Sequence, residues 1–223
     1  MNFNKLFDVK SSGNRIDLLT CKGRPKITNR TVSWWQSHGW EVITWDNTGS
    51  LPAVGRNRIL DDYAKSNKDV LIMADDDITL YTHRYLTLDW LRKPIVRGVY
   101  TLNSNHKMHF LKSQSGGWDT GTHHWSETQH IGQLYVIALK DVPRQDETLP
   151  MLSDLDWAWQ CQANGIKTEI LHTVFLREQS QDVGSLLAKT RAHRKELYAK
   201  AHEQMHNKWG VQSYSDFRTK YCS

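Results

Sequence analysis

Apolar runs separated by polar, turn-forming clusters recur through the first third of the chain. Arg15 to Cys21 (RIDLLTC) is a short apolar run ending in a polar loop with Gly and Pro, the pattern of a buried strand. Asn29 to His38 reads as a helix, stopped by Gly39. Trp40 to Trp45 (WEVITW) alternates as a second strand and ends at the loop-forming cluster Asp46-Asn47-Thr48-Gly49. Gly55 to Asn67 places Ile59, Leu60 and Tyr63 at the spacing of one helix face. Val70 to Ala74 (VLIMA) is almost wholly apolar, as expected of a strand in the middle of a parallel sheet. Strand, helix, strand, helix, strand predicts the first half of a doubly wound α/β domain.

The second half is less regular. Val96 to Leu102 and Gly132 to Leu139 read as strands, separated by a polar stretch from Asn103 to Gln129. A polar insert of that length in a compact domain is a functional loop or a disordered one. Leu155 to Ala163 reads as a helix ended by Asn164-Gly165, and Lys167 to His172 as a last strand. From Gln179 to Asn207 the pattern is long, helical and cationic, and no internal repeat is visible.

Bulk numbers narrow the class. With 223 residues and 39% hydrophobic content, the chain supports one core, with a modest appendage at most. Ten Trp residues supply large apolar areas and flat faces for stacking. No run of residues has the length and apolarity of a transmembrane segment. The start, Met1 to Lys5, lacks an apolar signal core, and Cys21, Cys161 and Cys222 are odd in number and widely spaced. Together these predict a cytoplasmic protein with reduced thiols and no disulfide scaffold.

The densest chemistry lies at Asp75-Asp76-Asp77, directly after VLIMA. Ligands of open α/β sheets bind outside the carboxyl ends of the strands, so this is the expected place for a site. Three adjacent carboxylates repel one another unless a cation compensates. Hard oxygen donors suit Mg²⁺ or Mn²⁺, which also bind diphosphate oxygens. A divalent ion bridging Asp77 and a diphosphate would neutralise charge on a departing nucleoside diphosphate, while Asp75 accepts hydrogen bonds from its ribose. Sugar transfer, nucleotidyl transfer and hydrolysis all remain open on these residues alone, and a solvated acidic turn is the bland alternative.

In this setting the chain resembles the GT-A class of glycosyltransferases, whose D-x-D motif follows a central strand. Gly55-Arg56-Asn57-Arg58 opens the helix before that strand, where members carry an Arg-Asn pair near the donor nucleotide. Ser153-Asp154-Leu155-Asp156 resembles the E-D-x-D segment that supplies the catalytic base in inverting members, with Ser153 in place of its first carboxylate. His172 falls where many members place a third metal ligand. The short form and GRNRIL…VLIMADDDI are also similar to small phage glycosyltransferases that modify hydroxymethylated pyrimidines in DNA. The resemblance implies a GT-A type Rossmann-like, mostly parallel sheet flanked by helices in residues 1–176. A basic helical C-terminal extension follows in 177–223.

It also assigns roles. The donor is a nucleotide-sugar, held by Arg56, Asn57, Arg58, Asp75 and Asp76, with Thr20 and Asp46 at the ends of the first two strands reading base and ribose. Thr20 and Asp46 read equally well as turn residues. Asp77 and His172 would hold Mn²⁺ or Mg²⁺, a core histidine being the alternative for His172. Asp154, with Asp156 beside it, is the candidate general base, although an Asp before an apolar helical run is also a common N-cap. Trp118 and Trp125, in GGWDTGTHHWSETQH, offer stacking platforms for an acceptor base. His123, His124 and His130 in the same loop lack a nearby Cys and make a poor zinc set.

The formal charge is +5. Arg177 to Lys220 holds nine Lys and Arg against five Asp and Glu, a net of +4. Such a cationic segment suits a phosphate backbone, a packed solvated helix or an anionic membrane surface. The preferred acceptor is 5-hydroxymethylcytosine in phage DNA, reached by an inverting transfer in the host cytoplasm. A polysaccharide, lipid or protein acceptor is the rival, and a non-catalytic nucleic-acid-binding module the reading from another class.

Overall fold

The computed structural model describes residues 15–20, 25–37, 40–68, 70–81, 98–104, 125–127, 131–178 and 191–222. The chain opens as anticipated. Strand β1 (Arg15–Thr20), helix α1 (Pro25–Ser37), β2 (Glu41–Asp46), α2 (Pro52–Lys65) and β3 (Leu71–Asp75) alternate. They are followed by β4 (Ile78–Tyr81), β5 (Gly98–Ser104), β6 (Trp125–Glu127), β7 (Leu134–Ile137), α3 (Ser153–Ala163), β8 (Lys167–Glu178), α4 (Arg191–Trp209) and α5 (Tyr214–Tyr221). Pro25 and Pro52 each begin a helix, where the missing N–H removes no hydrogen bond and φ is already set.

The eight strands form one sheet in the order β2-β1-β3-β7-β5-β8-β4, with β6 also on β8. The first half is parallel, β1 pairing with both β2 and β3. It turns mixed at β7, which runs antiparallel to β3 and β5, while β5 and β8 are parallel. The sheet is thus α/β and mixed, rather than a simple continuation of the doubly wound half.

Three elements depart from the sequence reading. Strand β4 was not anticipated, because four residues (ITLY) have too little pattern and pair with β8 almost a hundred positions away. Strand β8 continues to Glu178 instead of ending at His172. Its register with β5 jumps from Leu102 opposite Leu171 to Asn103 opposite Phe175, so His172, Thr173 and Val174 have no partner there. Helix α5 was also unforeseen. Its start is marked by Ser213, whose hydroxyl accepts from the Asp216 N–H at 3.1 Å.

The order of strands and the short β3–β4 link together require the sheet to curl. Asp75 and Ile78 are three residues apart and so no more than about 11 Å apart, whereas four strand spacings in a flat sheet are about 19 Å. The break in β8 separates the segment that pairs with β6 from the segment that pairs with β4.

One buried cluster joins sheet and helices. Leu19, Ile59, Tyr63, Met73, Tyr135, Trp157 and Trp159 pack together with Met205, Val211 and Phe217 from the C-terminal segment. Trp159 stacks on Phe217 with ring centroids 4.5 Å apart, and Trp209 meets Phe217 edge-on at 5.0 Å. Burial of these aromatic faces ties α4 and α5 to α3, in a region whose sequence pattern reads chiefly as cationic. At the far end of α2, Lys140 donates to the carbonyls of Tyr63 and Ser66 at 2.7 and 3.1 Å, a cation on the negative end of the helix dipole.

Candidate active site

The centre of the sheet delivers its functional groups through ordinary strand alternation. Asp75 ends β3 with its side chain 30% exposed, and Arg56 donates to its Oδ1 at 2.9 Å. The next side chain, Asp76, is fully buried and accepts from the Thr28 hydroxyl of α1 at 2.6 Å. Asp77 is buried in the turn at 8% exposure. The three carboxylates therefore do not share one surface. Their repulsion, which the sequence argument left to a cation, is relieved in part by Arg56 and by Thr28.

Arg56 reaches Asp75 because α2 starts very close to the sheet. A Cβ on Gly55 would lie 2.3 Å from Leu19 Cδ1 and 2.6 Å from Asn47 Oδ1, so only glycine permits this approach. The guanidinium lies over the Tyr135 ring at 5.2 Å from its centroid. Burial alone would lower the Arg56 pKa, but the Tyr135 hydroxyl and then the carboxylates of Asp75 and Asp154 outweigh it and hold the group well above the ordinary arginine value. Tyr135 is pushed far upward by burial and further by Asp154 and Asp75, against the pull of Arg56, so it stays a neutral phenol.

Asp154 enters from the first turn of α3. The residue before the helix is Leu152, whose side chain makes no cap bond, so the capping role weighed for Asp154 is not used at that position. Asp154 is half-buried, and its Oδ1 accepts from the Leu155 N–H at 2.9 Å. Two bulky residues here hold left-handed backbone: Leu152 at φ 63° and Gln133 at φ 65°. The Gln133 carbonyl accepts from the Asp75 N–H at 3.0 Å, and Leu152 stands two positions before Asp154, so each strained position adjoins one of these carboxylates. Such conformations cost about 1–2 kcal/mol each and concentrate at functional sites.

Other anticipated residues take places inside the protein's own bonding. Asn57 is fully buried; it donates to the Gln145 carbonyl at 2.9 Å and to Glu147 Oε1 at 2.7 Å, and accepts from the Gln145 N–H at 2.8 Å. Arg58 is exposed and donates to the Asp46 carbonyl. The Asp46 carboxylate accepts from the Thr48 N–H and hydroxyl at 2.9 and 2.6 Å. Thr20 donates to the Trp45 carbonyl at 3.2 Å. Asp156 is fully buried and bound by Gln160, Lys208 and Trp209 at 2.7, 2.8 and 2.8 Å. The polar contacts of Asn57 and Asp156 explain their burial, whereas Asp75 keeps an open flank.

His172 lies on β8 inside the break in register, and Trp125 begins β6 opposite Leu171. Trp118, His123, His124 and His130 lie outside the described residues. Among the described residues no group of three or more His, Cys, Asp and Glu side chains is arranged to hold a metal ion. The donor chemistry at Asp75 and Asp77 nevertheless fits a hard divalent cation, because Mg²⁺-type ions are bound through one or two carboxylates together with substrate phosphates and water.

Sequence reasoning missed Tyr135, Gln145 and Lys208. Tyr135 looked like one more aromatic residue of a strand, and Gln145 sits in a stretch with no periodicity. Lys208 was counted only as one charge among the nine cations of the tail.

No protein-family model matches the sequence, and no curated protein does either. Solved structures do match in shape. One is GalNAc-T7 with UDP, GalNAc and Mn²⁺, at a TM-score of 0.53 and 10% identity, covering 92% of this chain and 56% of that one. Another is S. aureus TarS 1-349 in complex with UDP-GlcNAc, at a TM-score of 0.52 and 9% identity, covering 93% and 70%. The chain thus spans little more than half the length of the first. These likenesses give the fold, a GT-A type α/β architecture.

Proposed function

We propose that this chain is a divalent-metal-dependent glycosyltransferase that uses a nucleotide-sugar donor, with UDP-sugars the donor class to test first. The observation that carries this reading is the buried Arg56 bound to Asp75 at 2.9 Å at the end of β3 on a GT-A type sheet, with the charge of Asp154 from α3 acting on the same guanidinium. Two carboxylates kept near one strong cation, one with an exposed flank, suit a reaction with a departing anion at one side and a proton to remove at the other. The solved structures with UDP, GalNAc and Mn²⁺ and with UDP-GlcNAc support the choice of donor.

In the proposed reaction the bond between the sugar's anomeric carbon and the diphosphate oxygen breaks, and its electron pair leaves with the nucleoside diphosphate. The acceptor oxygen forms the new bond to that carbon, and Asp154 accepts the acceptor's proton. A single displacement of this kind inverts the anomeric centre. Asp75 and Asp77 are the residues that would hold a divalent cation, which when bound neutralises charge on the diphosphate. Arg56 holds the Asp75 carboxylate in place, and the oriented carboxylate then needs little reorganisation as charge moves. In this reading Asn57 acts indirectly, by fixing the 145–147 loop, and Asp156 by fixing α3.

For the acceptor we infer a hydroxymethylated pyrimidine in DNA. The cationic C-terminal segment supports it, since exposed Lys195 and Lys200 on α4 add to the net charge of a helix that packs beside α3. No helix among the described residues is long and apolar enough to cross a membrane. A polysaccharide, lipid or protein acceptor would leave the donor chemistry unchanged.

The test is donor hydrolysis and transfer over a panel of UDP-sugars with Mn²⁺. Hydroxymethylcytosine DNA serves as acceptor, and Asp77→Ala and Asp75→Asn as controls that are checked for folding by thermal melt. Sugar on the DNA with the parent, and none with either variant, is the expected result. Metal-dependent donor hydrolysis without DNA transfer would retain the enzyme and discard the acceptor. No metal-dependent donor binding at all would discard the glycosyltransferase and favour a nucleic-acid-binding module.

A further inference from the structure

Four buried polar atoms close to Asp75 and Asp154 have no hydrogen-bond partner: Arg56 Nε, Tyr135 Oη, and both Gln145 Nε2 and Oε1. Arg56 is 7%, Tyr135 0% and Gln145 2% exposed. The Tyr135 hydroxyl and the Gln145 amide lie near one another without reaching hydrogen-bond geometry. Nearly all buried polar side-chain atoms in folded proteins are paired, and each unpaired one costs about 1–3 kcal/mol. Four such atoms in one place are therefore an unusual expense for the fold, and they border the proposed reaction centre.

The backbone around them is not loosely held. Gln145 is fixed through its own N–H and carbonyl by Asn57, and Tyr135 packs edge-on against Trp157 at 5.7 Å. The Tyr135 hydroxyl can both donate and accept. Gln145 likewise offers a donor and an acceptor, and Arg56 Nε offers a donor. A mixed set of this kind matches neither a bare phosphate, which needs donors only, nor an apolar group. It matches vicinal hydroxyls, which are themselves both donors and acceptors.

We infer that Tyr135 and Gln145, with Arg56 Nε, are specificity-determining residues that read the hydroxyl groups of the transferred sugar. This rests on the glycosyltransferase reading above. Tyr135 lies under the guanidinium that binds Asp75, and in that reading the sugar sits between Asp75, on the side of the departing diphosphate, and Asp154, on the side of the acceptor. A site that desolvates its polar groups before the ligand arrives rejects analogues lacking the matching hydroxyl, because the site's groups then stay unpaired.

The experiment compares the parent with Tyr135→Phe and Gln145→Leu, each of which removes the unpaired atoms and keeps the bulk. Calorimetric affinities for UDP and for UDP-GlcNAc, UDP-GalNAc and UDP-glucose are measured with Mn²⁺, alongside melting temperatures without metal or donor. The expected result is an unchanged or raised melting temperature, unchanged UDP affinity, and a loss of about tenfold in affinity for the preferred UDP-sugar relative to UDP. A ratio of UDP-sugar to UDP affinity equal to the parent's in both variants would overturn the inference, as would a lowered melting temperature with that ratio intact. If the parent binds neither UDP nor any UDP-sugar, it is the underlying glycosyltransferase reading that fails, and the sugar-reading role goes with it.

Discussion

Lys208, at the end of α4, reaches the fully buried carboxylate of Asp156 at 2.8 Å and the carboxylate of Asp146 at 2.7 Å. One ammonium group thereby joins the C-terminal helix to the first turn of α3 and to the loop that carries Gln145. Desolvation would lower its pKa, but hydrogen bonds to Asp146 and Asp156 more than compensate and raise it. Replacing Lys208 by Met should lower stability by about 1–3 kcal/mol, since Asp156 keeps Trp209 and Gln160 but loses its charged partner. Denaturant unfolding of Lys208→Met and Lys208→Arg, the latter keeping the charge, measures it.

The same contact sets a pH dependence. Burial alone would raise the Asp146 pKa, but hydrogen bonds from Lys208 and Thr148 lower it below the ordinary carboxylate value. A folded-state pKa below the unfolded one contributes stability at pH values above about 4, lost as the pH falls through the folded value. Lys208 behaves oppositely: its contribution is complete below about pH 10 and is lost on further alkalisation. In Asp146→Asn the unfolding free energy should fall less steeply between pH 5 and pH 2 than in the parent, all in urea titrations on that approximate range. An identical acid limb would show that Asp146 carries no such linkage.

Gly55→Ala is expected to be strongly destabilising for a small change. Its new methyl would meet Leu19 and the Asn47 side chain well inside van der Waals distance. Overpacking of this kind costs about 1–3 kcal/mol, and the displaced helix start would also shift Arg56 away from Asp75. Thermal melts should show the lowered stability, and a parent-like melting temperature would mean that α2 can slide outward without penalty.

Asp154 and Asp156 should separate cleanly. Asp154→Asn keeps shape at a half-buried position, so turnover should fall by about 10²–10⁴ with little change in melting temperature. Asp156→Asn removes the charge facing Lys208 and should chiefly lower stability. Steady-state rates and melts on both variants decide this; equal loss of turnover with equal stability would merge the two roles.

Much of this architecture was legible because the relevant information is local. VLIMA before an acidic triplet, and Ile59, Leu60 and Tyr63 at helical spacing, express burial in consecutive residues. What could not be read depends on distant partners. Strand β4 exists because β8 pairs with it, and Asp156 is buried because Lys208 and Trp209 arrive from the end of the chain. Tyr135 and Gln145 carry no motif; their interest comes from buried polar atoms left unpaired, which depends on how distant segments pack. The resemblance that pointed to Arg56 and Asn57 named adjacent residues whose side chains do different things. One binds Asp75 and the other ties down a loop ninety positions further on.

The two residues between β3 and β4 also have a mechanical meaning. Asp76 and Asp77 are a leash from the middle of the sheet to its rim, and the rim must bend inward because the leash is short. Straightening β8 at His172 to Val174 would tug on the carboxylates, and anything gripping those carboxylates would keep the rim bent. In the proposed reading a cation held by Asp75 and Asp77 would grip that leash, so amide exchange in β4 and the end of β8 should slow when Mn²⁺ and a UDP-sugar are added.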